Sequence, residues 1–88
     1  MLSIKYTTQF KKDCKTAMKR GKDLKKMFFV IDLLSKGKKL SAKFNDHKLL
    51  GVAGDIKECH IAPDWILIYR IHNSYLELIR TGTHSDLF

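Results

Sequence analysis

The C-terminal third of the chain constrains the fold most. Residues 56–61, 65–71 and 75–81 each read as a strand, and only three residues separate one from the next. A parallel return needs a crossover of about a dozen residues or more, so these strands must form an antiparallel meander. Ala62-Pro63-Asp64 breaks the first pair, and Asn73-Ser74 has the composition of a two-residue hairpin turn. That turn sets a register in which His72 faces Tyr75, Arg70 faces Glu77, Tyr69 faces Leu78, Leu67 faces Arg80 and Trp65 faces Gly82. Trp65, Leu67, Tyr69, Leu78, Arg80 and, by continuation, His84 then share one face. A slip of one residue would reverse every side chain.

The first half reads differently. Ser3 to Tyr6 alternates and forms a short strand, after which Thr7 or Thr8 caps a helix running to about Arg20. Phe10, Cys14, Ala17 and Met18 recur at helical spacing as its buried stripe. Gly21 ends it, and Asp23 caps a second helix over residues 24–35. Leu24, Met27, Phe28, Ile31 and Leu34 form the second stripe, widened by Val30, and Gly37 is the stop. Residues 36–54 form a long connection with no recognisable element, a length that in so small a domain usually carries function. The fold class predicted is α+β in the order β-α-α-β-β-β, with a helical hairpin on one face of a small antiparallel sheet. Residues 1–88 are expected to form one domain.

The charge is lopsided. The net charge is +8, yet residues 1–50 hold 14 Lys/Arg against 4 Asp/Glu, and residues 51–88 hold 3 against 5. Lys11, Lys15 and Lys19 repeat every fourth residue, a like-charge spacing that costs a helix a few tenths of a kcal/mol per pair. A basic half of this kind fits the footprint for a polyanion. No apolar run reaches the roughly 20 residues of a membrane span, and charge interrupts the N-terminal stretch too soon for a signal peptide. Cys14 and Cys59 make no disulfide framework and read as reduced core thiols, which fits a cytoplasmic location.

Histidines and carboxylates cluster in the C-terminal half of the chain. Asp46-His47, Glu58-Cys59-His60, Asp64-Trp65 and Arg80 to His84 all fall near predicted strand ends. Cleavage of RNA through its own 2′-OH needs a base, an acid and a cation to stabilise the phosphoryl oxygens. Histidine ordinarily titrates near 6.5, so it can serve as base or acid near neutrality. Arginine stays charged and binds phosphate through a planar fork. His47, His60, His84 and Arg80 meet that inventory, Glu58 and Asp64 can orient an imidazole or act as bases, and Trp65 and Phe88 offer faces for base stacking. No Cys-x-x-Cys or His-x-x-x-His pair starts a metal site, and no glycine-rich phosphate loop or Ser-His-Asp pattern occurs, so neither metal nor cofactor is expected.

Three segments carry a resemblance. Phe44-Asn45-Asp46-His47-Lys48-Leu49, Glu58-Cys59-His60-Ile61-Ala62-Pro63-Asp64-Trp65-Ile66-Leu67-Ile68-Tyr69 and the terminal Arg80-Thr81-Gly82-Thr83-His84-Ser85-Asp86-Leu87-Phe88 resemble the motifs of the YafQ-type branch of the RelE/ParE superfamily of bacterial type II toxins. The resemblance spans the whole chain. It implies a metal-independent mRNA interferase that cuts mRNA, in many members on the ribosome, and is held inactive by a co-expressed antitoxin. By motif match it implies His84 as principal general acid, and His47, His60 and Asp64 as catalytic or orienting groups. Glu58 is then a candidate base, Arg80 the phosphate-stabilising cation, and Trp65 and Phe88 supports near the scissile site. Leu50 to Gly54 departs from the family, many members of which carry Lys or Trp after the glycine, and this leaves substrate preference open. The free protein is expected to be a monomer. Readings from other classes are a ParE-like binder of a protein target such as DNA gyrase, whose branch generally lacks these histidines, and a plain basic RNA-binding domain.

Overall fold

The computed structural model describes residues 1–49 and 54–88. Strand β1 (Ser3–Tyr6) leads into helices α1 (Thr8–Lys19) and α2 (Leu24–Ser35). A 3₁₀ turn at Ala42–Phe44 and strand β2 (His47–Lys48) follow, then strands β3 (Ile56–Ala62), β4 (Trp65–His72) and β5 (Tyr75–Gly82) and helix α3 (His84–Leu87). The sheet order is β1-β5-β4-β3-β2. The meander β3-β4-β5 is antiparallel as expected, whereas β1 pairs with β5 in parallel. The two helices intervening between β1 and the meander supply the long crossover that a parallel pair requires.

Local chemistry accounts for the ends of each element. Thr7 caps α1 by accepting from the Phe10 amide at 2.9 Å, and Asp23 caps α2 by accepting from the Lys25 amide at 3.0 Å. Gly21 and Gly37 take φ of 77° and 71°, and the amides after them reach back to Ala17 and Leu33, closing both helices in the same left-handed C-terminal motif. Asn73 and Ser74 both have positive φ, which gives the β4–β5 hairpin a turn whose twist matches its strands.

The core lies between the helices and one face of the sheet. Phe10, Ala17, Met27, Val30, Ile31 and Leu34 pack on Cys59, Ile61, Trp65, Leu67, Tyr69, Leu76 and Leu78. Two expected stripe residues are elsewhere: Met18 and Phe28 are more than half exposed. Each stands next to a residue that is buried (Ala17 and Met27), and a helix of this width can turn only one of two neighbours inward. Burial raises the pKa of both thiols, that of Cys59 up to about 12 with help from the Asp46 carboxylate, so both are held as unreactive free thiols.

Three expectations change. The connection after α2 is not structureless: Leu40 and Phe44 are buried in the core, and β2 adds a fifth strand at the edge of the sheet. Burying two such side chains stabilises the segment by roughly 1.5–3 kcal/mol each, enough to pin it. Its remainder, residues 50–53, lies outside the described residues, including most of the Leu50–Gly54 stretch. The β4–β5 register also slips. Arg70 faces Glu77 and Tyr69 faces Leu78, but Ile79 bulges, so Arg80 stands opposite Ile68 and Thr81 opposite Leu67, and Gly82 pairs with Ile66, not Trp65. Finally, His84 does not continue β5; it opens α3.

Beyond Leu78, β5 has lost β1 as a neighbour, and α1 takes its place. The Thr7 hydroxyl donates to the Ile79 carbonyl at 2.6 Å. Asp13 is buried on the inner side of α1 and accepts from the Thr81 amide at 3.1 Å, from Arg80 Nε and Nη2 at 3.1 and 3.0 Å, and from Gln9 at 3.0 Å. Burial works to raise the Asp13 pKa, but the hydrogen bonds from Arg80, Gln9 and Thr81 outweigh it and hold the carboxyl below its ordinary value. Replacing Asp13 by Ala strands the Thr81 amide and is expected to cost about 2–4 kcal/mol in urea unfolding at pH 7. Because the folded pKa lies below the unfolded value of about 3.9, this contribution is complete above that value and is lost as pH falls through the folded one. The gap between parent and Asp13→Ala should therefore narrow in acid.

Candidate active site

Directly opposed residues in a ladder share a face, so the observed register assembles the site. One row across the sheet runs His47, Glu58, Ile68, Arg80, and the next runs His60, Ile66, Gly82. Ile66 and Ile68 are buried although they stand apart from the main core cluster, and so form an apolar floor on the face turned away from the core. The Ile79 bulge is what brings Arg80 into this row. Without it, Arg80 would oppose Leu67 on the core face.

At one end of the row, His47 Nε2 lies 3.0 Å from Glu58 Oε1, and His47 Nδ1 is 3.0 Å from the Lys48 carbonyl. The Glu58 side chain is only 12% exposed, and its second oxygen, Oε2, is buried without a hydrogen-bond partner. A buried carboxylate oxygen without a donor is costly to leave in that state. The residue before His47 holds the strand in place. Asp46 accepts from the buried Tyr69 hydroxyl and from Lys57 Nζ at 3.1 Å. Burial first, and then Asp46, raises the pKa of Tyr69, keeping the phenol a donor.

At the other end, the β3–β4 turn meets α3. Asp64 Oδ1 accepts from both the His84 backbone amide at 3.1 Å and the His84 Nδ1 at 2.8 Å. These bonds from His84 hold the Asp64 carboxyl below its ordinary pKa, so it stays ionised. With Nδ1 occupied, Nε2 is the ring nitrogen left to exchange a proton. The His60 ring meets the His84 ring edge to face at 5.6 Å, and the exposed Phe88 ring lies 6.4 Å from His84 on another side.

The short helix that carries His84 is fixed from both ends. The Thr83 hydroxyl accepts from the Asp86 amide at 3.1 Å, while Asp86 Oδ2 accepts from the Thr83 amide at 2.9 Å, a reciprocal cap. Asp86 also takes a two-pronged bond from Arg20, at 2.6 and 3.1 Å, which with the cap drives its pKa well below the carboxylate range. Gly82 permits this closure. A Cβ there would sit 2.9 Å from Asp86 Oδ2 and 3.0 Å from Asp86 Cβ.

Of the expected site residues, His47, Glu58, His60 and Arg80 lie in the rows of the face away from the core, and Asp64, His84 and Phe88 join them through the contact of His84 with His60; Trp65 does not. Trp65 is 2% exposed and offers no open ring. Its indole donates to Thr81 at 2.9 Å, and Thr81 in turn donates to the Ile66 carbonyl, so Trp65 braces the strand end that carries Arg80. Arg20, Asp13, Tyr69 and Asp86 were given no role at the site from sequence, and Asp46 was named only within the Asp46-His47 cluster. Two of them left a signal: Thr83-His84-Ser85-Asp86 has the spacing of a reciprocal cap, and Asp13 lies three and four residues from Phe10 and Ala17 on the apolar stripe.

A fold of this order, with histidines and carboxylates gathered on the free face of its sheet, defines a small RelE-like toxin. The family model for the bacterial toxin of type II toxin–antitoxin systems, YafQ, matches residues 2–88, and the chain belongs to that family. It is 42% identical over 86 residues to the mRNA interferase toxin YafQ of Escherichia coli K12, covering 97% of this chain and 94% of that protein. Its fold matches a metal-bound toxin from Helicobacter pylori with a TM-score of 0.96, at 41% identity over the full length of both chains. It matches YafQ in the E. coli DinJ–YafQ toxin–antitoxin complex with a TM-score of 0.92, at 41% identity over 99% of this chain and 97% of that one. Among the described residues no group of three or more His, Cys, Asp or Glu side chains gathers at metal-binding distance.

The cap makes a local prediction. Gly82→Ala should push Asp86 off Thr83, so that the amides of Asp86 and Phe88 exchange with solvent at least tenfold faster by NMR while the β4 amides keep their protection.

Proposed function

We propose that this chain is a metal-independent endoribonuclease of the mRNA interferase type. The observation that carries the reading is the Asp64–His84 contact set beside His60 on the same face as the Glu58–His47 pair. In the proposed reaction the 2′-oxygen attacks the adjacent phosphorus, and the bond to the 5′-oxygen of the next nucleotide breaks. The base end of the row, Glu58 with His47, takes the 2′-OH proton: His47 is the exposed member of the pair, and the Glu58 carboxylate 3.0 Å from its Nε2 stabilises the charge it gains. His84, oriented by the ionised Asp64, gives a proton from Nε2 to the departing oxygen. The products are a 2′,3′-cyclic phosphate and a 5′-OH.

Arg80 supplies the charge that the transition state needs. A guanidinium has five N–H donors. Asp13 takes one from Nε and one from Nη2, which fixes the plane of the group, and the rest remain for the phosphoryl oxygens. His60 borders the acid and positions the substrate or the His84 ring. Phe88 offers an exposed face to a base near His84, and Trp65 acts as a support from beneath.

The relatives set the biological frame. A YafQ of 42% identity is named an mRNA interferase, and the E. coli protein is seen with DinJ. By extension this chain acts on mRNA, and a cognate antitoxin holds it inactive. Its charge of +8 suits work on the ribosome, and a monomer in the cytoplasm is the expected free form. Among the described residues no helix is long and apolar enough to cross a membrane.

The test is a defined mRNA incubated with purified protein in EDTA, with and without ribosomes. The parent should cut it, and His84→Ala should lose at least a hundredfold in rate with its urea midpoint and growth-independent expression unchanged. Cleavage by His84→Ala at the parent's rate would contradict the assignment.

A further inference from the structure

One open groove adjoins the site without belonging to the acid–base set. It is about 670 Å³, within the roughly 300–1,000 Å³ range of ligand clefts, and runs between the start of α2, the 3₁₀ turn and the end of β3. His60 forms one end of it, so the groove opens onto the proposed cleavage centre. Lys25, Lys26 and Lys43 line its rim, and no carboxylate does. Among the described residues none of the three makes an ion pair, whereas Lys36, Lys48 and Lys57 do. Phe29, on the same wall, is 59% exposed, an apolar ring left in water on a helix with a well-filled inner face.

Three unpaired ammonium groups beside an open aromatic face are the parts of a single-strand binding surface. Phosphates lie along the lysines, and a base stacks on the ring. Resting on the endoribonuclease reading, we infer that this groove holds the mRNA strand on one side of the scissile phosphate, with backbone phosphates on Lys25, Lys26 and Lys43 and a base on Phe29. The helix α1 lysines also carry positive charge, but Lys11 lines a separate groove on the β1 side of the helices, and no α1 lysine lines the groove that meets His60. An acidic protein segment would also be drawn to lysines. The strand is favoured because any RNA cut beside His60 must leave the site, and this groove meets His60 directly.

The experiment uses the intact protein and short oligoribonucleotides carrying a 2′-deoxy sugar at the cleaved position, which bind without reacting. They are lengthened by one to six nucleotides on the 5′ side or on the 3′ side, and affinity is read by fluorescence anisotropy at several salt concentrations. For the parent, lengthening on one side should tighten binding by tenfold or more. Lys25→Ala/Lys26→Ala/Lys43→Ala should lose that gain and lower the salt slope by about 2, since each phosphate contact on a single strand contributes about 0.7. Phe29→Ala alone should weaken the long oligonucleotide roughly tenfold. The control Lys11→Ala/Lys15→Ala/Lys19→Ala, which removes the same charge elsewhere, should keep the one-sided gain. All these residues are exposed, and unchanged thermal unfolding confirms that the variants fold.

A groove variant that keeps the gain, or a control that loses it equally, overturns the inference while leaving the cleavage reading intact. So does a groove variant that binds RNA normally and fails only to bind an acidic antitoxin segment. A parent that neither binds nor cuts RNA overturns both.

Discussion

The carboxylate of Asp13 is the point through which the rest of the molecule is joined. Strand β5 outruns its neighbour β1, and four residues of its edge would otherwise face α1 with unpaired backbone groups. Asp13 answers the Thr81 amide and clamps Arg80, and Thr7 answers Ile79 from the turn before the same helix. The helix that packs the core is thus also the helix that aims the cation. A buried carboxylate is tolerable only because every lone pair that matters has a donor, which is why its pKa falls despite burial. Stability and the geometry of the site are coupled at this one side chain.

The sheet divides its labour by face. Trp65, Leu67 and Tyr69 of β4 point into the core, and Ile66 and Ile68 between them floor the opposite face. A central strand buried on both faces is rigid, and it sets the spacing of the side chains that flank it on β3 and β5. The candidate reactive groups stand on the periphery: His47 on an edge strand of two residues, Asp64 in a turn, His84 on a one-turn helix. Elements so short have little stability of their own. Each is held by a dedicated polar clamp: Asp46 with Tyr69 and Lys57, Asp64 with the His84 amide, and Asp86 with Arg20 and Thr83.

What sequence disclosed, and what it did not, follows from the range of the forces involved. The helices, their caps and the hairpin at Asn73-Ser74 were legible because each is a local event, set by a capping oxygen, a positive φ or an apolar repeat within a few residues. The pairing of Arg70 with Glu77 followed from the turn alone. Past Leu78 that reasoning failed, because the Ile79 bulge answers to α1 crossing the strand edge, a partner nearly 70 residues away in the chain. Strand β2 was hidden for the same reason: two residues carry no periodicity, and their pairing with Lys57 and Glu58 exists only in the folded sheet. The candidate residues were found by residue type and motif, but their shared row appears only with the corrected register. Trp65 shows the converse, since a tryptophan at a strand start gives no clue whether its ring faces RNA or the core.

The central claim is that these side chains cut RNA by turning its own 2′-OH against the adjacent phosphorus. The most direct measurement is the chemistry of the ends. A defined mRNA cut by the purified protein in EDTA is analysed by mass spectrometry, beside the same RNA with a single 2′-deoxy sugar at the cut position. The account predicts 2′,3′-cyclic phosphate and 5′-OH termini, and no cut at the deoxy position. Termini bearing a 5′-phosphate and a 3′-OH, or unimpaired cleavage at the deoxy sugar, would contradict it.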